Sequence, residues 1–264
     1  GTFNPGKIVH APPITDNLRF GAQYQTRPLK TTFDFSDFGG ISRAAEQCGG
    51  VGACRKTLDG TMCPSYMATR EEADSTRGRA NSLRLAISGQ LGPEGLTDPR
   101  LYPILDLCLE CKACKSECPT GVDMARLKSE FLHQFYGRHG TPRRVKLLAN
   151  VERLAIWGSR LAPLSNWIVQ GRAARWLNEK LFGLDRRRVP PRYARRTFLD
   201  WHAKNSGPNR HSPENSQVAL FVDTFTNFHE PIHAIAAWRM AERLGARPIV
   251  ANRVCCGRPL ISKG

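Results

Sequence analysis

Four of the nine cysteines fall within eleven residues, as Cys108-Leu-Glu-Cys111-Lys-Ala-Cys114-Lys-Ser-Glu-Cys118-Pro119. The pattern is C-x2-C-x2-C-x3-C-P, a bacterial spacing for iron–sulfur ligation. Three thiols separated by two residues let one short loop wrap three irons of a cubane. The fourth, just before a proline, leaves in another direction and ordinarily ligates the other cluster of a pair. A structural zinc site would split its ligands into two distant pairs. A disulfide framework would be more dispersed and would favour an even cysteine count. The run therefore reads as an iron–sulfur site, and the chain as one that handles electrons.

A second constellation precedes it. Cys48-Gly-Gly-Val51-Gly-Ala-Cys54 has the same spacing with Val51 where the middle cysteine belongs, and Cys63-Pro64 follows after eight intervening residues. If the two motifs exchange ligands in the crossed manner of paired clusters, Cys63 joins Cys108, Cys111 and Cys114 in a complete four-thiolate site, expected to hold a [4Fe–4S] cluster. Cys48, Cys54 and Cys118 then form a second site one ligand short, because valine cannot bind iron. That site holds a [3Fe–4S] cluster, a labile [4Fe–4S] cluster with a foreign ligand, or none. The competing reading makes Cys48 and Cys54 inert small hydrophobes, but the glycines between them suit a backbone wrapped closely around a cofactor. Cys255-Cys256-Gly257 is a further pair whose ligand partners are missing from the sequence. Adjacent thiols rarely reach disulfide geometry. Arg70, Arg77 and Arg79 follow Cys63 on an expected helix; there they either raise a cluster's potential through positive charge or form a solvated face. The seven histidines show no metal-ligand pattern.

Periodicity and punctuation divide the chain into four. Residues 1–40, with Pro5, Pro12, Pro13 and Pro28, read as an extended arm, the tail of something upstream. Residues 41–140 read as helical around the cysteine motifs. A helix is expected from about Thr69, where Thr69-x-x-Glu72 forms a capping box, to Ile87, and another, with Leu127, Phe131, Leu132 and Phe135 on one face, to about Gly137. Residues 141–216 read as basic helices over 143–183, followed by a Pro/Arg/Asn/Ser linker at 185–216. From 217 the pattern changes to strand Val218–Val222, helix Pro231–Leu244 and strand Pro248–Ala251, the start of a parallel α/β domain. The remaining length is too short for a doubly wound sheet, so truncation at the C-terminus, and at the N-terminus as well, is expected. The fold class expected is mainly α.

The formal charge is +16, and residues 137–209 carry 16 Lys/Arg against 4 Asp/Glu, a local +12. Such a stretch faces nucleic acid, an anionic membrane face or an acidic partner, or is simply a solvated helix face. Nucleic-acid binding would place stacking aromatics or a recognition helix beside the basic groups. Trp157, Trp167 and Trp176 fall instead at apolar-face positions of the expected helices, as core residues do, so no nucleic-acid partner is expected. No run of about 18 apolar residues suggests a membrane span, and residues 1–7 lack the layout of a signal peptide. Thiolate ligands point to assembly in the reducing cytoplasm, with peripheral contact at the inner membrane face as a further expectation.

These residues resemble a family. Cys48–Ala80, including Thr61-Met-Cys63-Pro-Ser-Tyr-Met-Ala-Thr-Arg70 and Ser75-Thr-Arg-Gly-Arg-Ala80, is similar to the iron–sulfur region of large bacterial FAD-linked oxidoreductases of the D-2-hydroxyglutarate/D-lactate dehydrogenase type. Asp106–Met124 resembles their second cysteine motif, and Asn4-Pro-Gly-Lys-Ile8 the closing signature of FAD-linked oxidase C-terminal domains. Val254-Cys-Cys-Gly257 resembles the cysteine-rich domain shared with glycolate oxidase iron–sulfur subunits and heterodisulfide reductase. The resemblance implies an α-helical ferredoxin-like iron–sulfur domain at 41–140, the start of an α/β Cys-Cys-Gly domain at 217–264, and an FAD-bearing domain upstream on the same polypeptide. It implies electron transfer from flavin to a quinone, cytochrome or electron-transfer protein. A free-standing electron-transfer subunit is the alternative.

Overall fold

Several helices of this chain start at a residue whose side chain caps them. The computed structural model describes residues 6, 10–16, 18–205, 217–251 and 255–264. Of the Asn4–Ile8 signature only Gly6 is among these, and Val254 of the last signature lies outside them. The chain forms two units, one up to Gly140 and one from Thr141 to Lys263.

Among the described residues the first unit carries six α-helices: α1 (Ile41–Glu46), α2 (Pro64–Thr69), α3 (Thr76–Ile87), α4 (Leu101–Asp106), α5 (Ala113–Glu117) and α6 (Met124–His139). The helix expected from Thr69 begins instead at Thr76. The Thr69 hydroxyl, at the end of α2, donates to the Ser65 carbonyl at 3.1 Å and accepts the Glu71 N–H at 3.2 Å, and Arg70 then turns the chain with φ 63°. Ser75 is the cap of α3, its hydroxyl accepting the Gly78 N–H at 2.9 Å. Asp123 caps α6 in the same way through the Arg126 N–H, and α6 runs past Gly137 to His139. The core lies between α3, α4 and α6, where Ala80, Leu83, Leu101, Leu105, Leu127 and Phe131 are each at most 2% exposed. Burying such side chains contributes about 1.5–3 kcal/mol apiece.

The arm before α1 is extended but tied down. Glu130 of α6, wholly buried, accepts the backbone N–H groups of Thr32 and Phe33, each at 3.0 Å. Arg126 pairs with Asp37 at 2.9 Å and lies 4.4 Å from the ring centre of Phe35.

The second unit opens with four short helices, α7 (Arg143–Ala149), α8 (Val151–Arg160), α9 (Leu164–Gln170) and α10 (Arg172–Phe182). The expected linker contains a helix, α11 (Phe198–Asn205). Thr197 and Asp200 cap it reciprocally, the Thr197 N–H reaching the Asp200 carboxylate at 3.0 Å and the Asp200 N–H the Thr197 hydroxyl at 3.1 Å. Then come β1 (Gln217–Leu220), α12 (Thr224–Phe228), α13 (Pro231–Arg243), β2 (Arg247–Val250) and α14 (Arg258–Ile261). The strands are parallel, with Gln217 opposite Arg247 and Leu220 opposite Val250, so the connection through α13 is the expected βαβ unit. Its core gathers Phe198 of α11 with Val222, Ala234 and Trp238. Trp157, Trp167 and Trp176 are not core residues here: they are 62%, 78% and 49% exposed. Among the described residues no helix is long and apolar enough to cross a membrane.

Candidate iron–sulfur centre

The cysteine run bends tightly. Glu110 and Lys112, on either side of Cys111, adopt φ of 52° and 63°, a left-handed conformation costing about 1–2 kcal/mol at a residue with a Cβ. The loop thereby curls so that Cys108, Cys111 and Cys114 line one hollow, which Cys63, at the start of α2, closes from the other motif. A second hollow is lined by Cys48, Cys54 and Cys118. Its floor is the loop Gly49–Gly52, where Gly50 and Gly52 take φ of 80° and 79°, values that glycine alone adopts without strain. Val51 stands on this rim, 69% exposed. With the open solvent at their mouths included, the hollows span about 330 and 290 Å³, so the one with three thiols is similar in size to the one with four.

Thr76, the first residue of α3, is in the wall of both. The start of α3 thus separates them and presents its positive dipole end where anionic clusters would sit. The Arg77 N–H donates to Cys54 Sγ at 3.4 Å. Glu117, between Cys114 and Cys118, braces the motifs together: its carboxylate accepts the N–H of Thr61 at 2.9 Å and of Met62 at 3.1 Å, just ahead of Cys63, and the Thr61 hydroxyl also donates to it.

The thiols divide by environment. Burial pushes Cys114 up to about 11, against the Met124 N–H. Burial likewise raises Cys108, opposed by the Glu110 N–H and by the charges of Arg79 and Lys128, and it raises Cys54. At Cys63 burial also acts upward, but the Ser65 hydroxyl, the Arg79 charge and the Tyr66 N–H outweigh it and the thiol is lowered. At Cys118 the upward effect of burial is outweighed by the Thr120 hydroxyl and the N–H groups of residues 120–122. The two lowered thiols are those preceding prolines.

Among the described residues no three His, Cys, Asp or Glu side chains converge closely enough for a single metal ion. The thiols stand around hollows instead, as ligands that each bind a different iron of a polynuclear cluster must. With N–H groups directed at the sulfurs, the donor set of the first hollow fits an iron–sulfur cluster. Cys255 and Cys256 lie in the other unit, which contains no further cysteine. The Cys255 N–H is held by Glu152 at 2.9 Å, and Cys256 is exposed.

Two groups escaped the sequence reading, and a third was named there without being told apart from its neighbours. Arg79 stood there with Arg70 and Arg77, yet its side chain is wholly buried at Cys63. Lys128 reaches from α6 to the Cys108 carbonyl at 2.7 Å, and Glu117 makes the brace just described. Their spacing carries no motif. The one legible hint is that Glu117 and Lys128 lie close to the cysteine run in sequence.

Residues 44–122 match the 4Fe-4S dicluster domain family. The chain is 24% identical to D-2-hydroxyglutarate dehydrogenase of Escherichia coli (strain K12), over 94% of this chain and 28% of that protein. It is 25% identical to the protein of the same name from Pseudomonas putida, over 84% of this chain and 26% of that protein. A 76-residue stretch is 34% identical to the probable glycolate oxidase iron-sulfur subunit of Bacillus subtilis (strain 168), covering 27% of this chain and 16% of that one. The chain thus spans about a quarter of the length of the dehydrogenases it matches. No solved structure matches it. Gathered thiols and sequence relatives agree: this is a mainly helical chain carrying a 4Fe-4S dicluster domain and homologous over most of its length to D-2-hydroxyglutarate dehydrogenases.

Proposed function

We propose that this chain is the electron-transfer module of an FAD-dependent 2-hydroxy-acid dehydrogenase acting on D-2-hydroxyglutarate, D-lactate or glycolate. The observation that carries the reading is the gathering of Cys63 with Cys108, Cys111 and Cys114 around one hollow, across two separate motifs. These four would hold a [4Fe–4S] cluster, and Cys48, Cys54 and Cys118 a three-iron or labile second one. Such clusters, when bound, take up and release electrons singly, which links a two-electron oxidation to one-electron acceptors. The chain's own part is to hold the sulfurs as thiolates, turn N–H groups toward them and keep water from the buried ones. In keeping with the family resemblance, the flavin would sit on an upstream domain of the same polypeptide. The acceptor would be a quinone, a cytochrome or an electron-transfer protein. The Bacillus relative's name favours a second reading, a free-standing iron–sulfur subunit; co-purification of flavin on the same full-length polypeptide decides between them. Cys111→Ser in the full-length protein, purified anaerobically, is expected to lose most of its brown absorbance and about four irons per chain. Unchanged iron content would refute the ligation.

A further inference from the structure

We propose that Arg79 sets the reduction potential of the four-thiol site and holds it well above the value the same four thiols would give without the guanidinium. The inference rests on the reading that Cys63, Cys108, Cys111 and Cys114 hold a cluster. Arg79 has a side chain with no exposed surface and lines the first hollow. Its Nη1 lies 3.5 Å from Cys63 Sγ and donates to the Ser65 hydroxyl at 2.9 Å. Its Nε donates to the Ile104 carbonyl at 2.8 Å, and Nη2 meets the Asp74 carboxylate at 3.4 Å. The planar fork is therefore held on three sides with one prong turned to sulfur, and it cannot swing away.

Burying a guanidinium is costly unless its charge is used or compensated. The compensation here is thin, because Asp74 makes one long contact rather than the close bidentate pair of which arginine is capable. Reduction adds one negative charge to a cluster. A fixed cation beside a ligating sulfur, where water cannot screen it, favours that charge and raises the potential. The other cations near the two hollows are less favourably placed for this. Lys128 also acts on Cys108, but it donates to the Cys108 and Asp106 carbonyls at 2.7 and 3.1 Å and has the Glu110 carboxylate at 3.8 Å, which offsets part of its charge. At the second hollow Arg77 is gripped by both oxygens of Glu72, at 2.7 and 3.0 Å, and its side chain is 26% exposed.

The test is a potentiometric titration, followed by EPR, of the full-length protein purified anaerobically. Arg79→Gln is expected to lower the midpoint of the four-thiol cluster by at least tenfold in its oxidised-to-reduced ratio, about 59 mV for one electron. Arg79→Lys, which keeps the charge, is expected to recover most of the loss. Asp74→Asn removes the counter-charge and is expected to raise the midpoint. A residue that only anchored α3 would not give opposite signs to the two changes. Should Arg79→Gln fail to retain iron, the rise in Asp74→Asn and the near-native value of Arg79→Lys still decide. A midpoint that is unmoved, or that moves the same way in both, with the cluster retained, overturns the role of Arg79 alone. Wild-type protein without four-iron signals overturns the ligation reading, and this inference with it.

Discussion

At Val51 an apolar side chain sits on the rim of a thiol-lined hollow, flanked by the buried Cys48 and Cys54. Valine has no donor electrons for iron, so a cubane there would have one corner without a protein ligand and would shed that iron readily. Oxidised, anaerobically purified protein is expected to show a three-iron EPR signal. In Val51→Cys the signal should give way to a four-iron species, with about one more iron per chain. Two fully thiolate-ligated four-iron clusters in the wild type would contradict this. The thiols themselves were legible because ligand spacing is a local property: a loop of given length presents sulfurs at a given reach. The difference between Arg77 and Arg79 was not. Both are charges two residues apart on α3, and a count of charges treats them alike. What separates them is tertiary: Arg77 meets Glu72 at the edge of solvent, and Arg79 is enclosed beside Ser65, Asp74 and Ile104.

Among the elements, caps account for most of the difference between expectation and structure. Thr69-x-x-Glu72 satisfies the pattern of a capping box, yet Ser75 does the capping, because α2 ends first and the chain must turn at Arg70. Ser75→Ala is expected to cost about 1 kcal/mol, read from the denaturant midpoint, and to loosen the start of α3 between the two hollows. The mirror case is Thr197-x-x-Asp200, a signal present in the sequence but overlooked amid the arginines and prolines before it. The arm illustrates what patterns cannot give. Nothing periodic marks residues 18–35, because they are tied down one contact at a time: the Thr32 and Phe33 N–H groups to Glu130, the Tyr24 hydroxyl to Glu46, the Arg27 N–H to the Ile87 carbonyl. Glu130→Ala would leave the Thr32 and Phe33 donors unmet, at about 1–3 kcal/mol each. Tryptic cleavage after Lys30 should then quicken while α6 remains intact; an unchanged rate would mean that other contacts hold the arm.

For the molecule as a whole, charge and apolar exposure coincide in the second unit. Trp157, Trp167 and Trp176 emerge from α8, α9 and α10, within the stretch 137–209 that carries the local +12, a combination that suits an anionic lipid surface. Co-sedimentation of the full-length protein with liposomes is expected to rise with anionic lipid and fall with salt. Replacing Arg186, Arg187 and Arg188 with Gln should weaken it. At about 1 kcal/mol per basic residue, with Arg186 and Arg187 already paired to Glu179 and Asp185, a loss of roughly fivefold follows. Indifference to lipid charge and salt would leave a solvated face. The two-motif construction of the hollows also bears on how the protein is made. Cys54 and Cys118, neighbours around one hollow, are 64 residues apart in the chain. At a synthesis rate of about 5–20 residues per second, the earlier thiol leaves the ribosome roughly 3–13 s before its companion. In that interval Cys48, Cys54 and Cys63 are nascent thiols open to oxidants, and neither hollow can close around iron until the second motif has emerged.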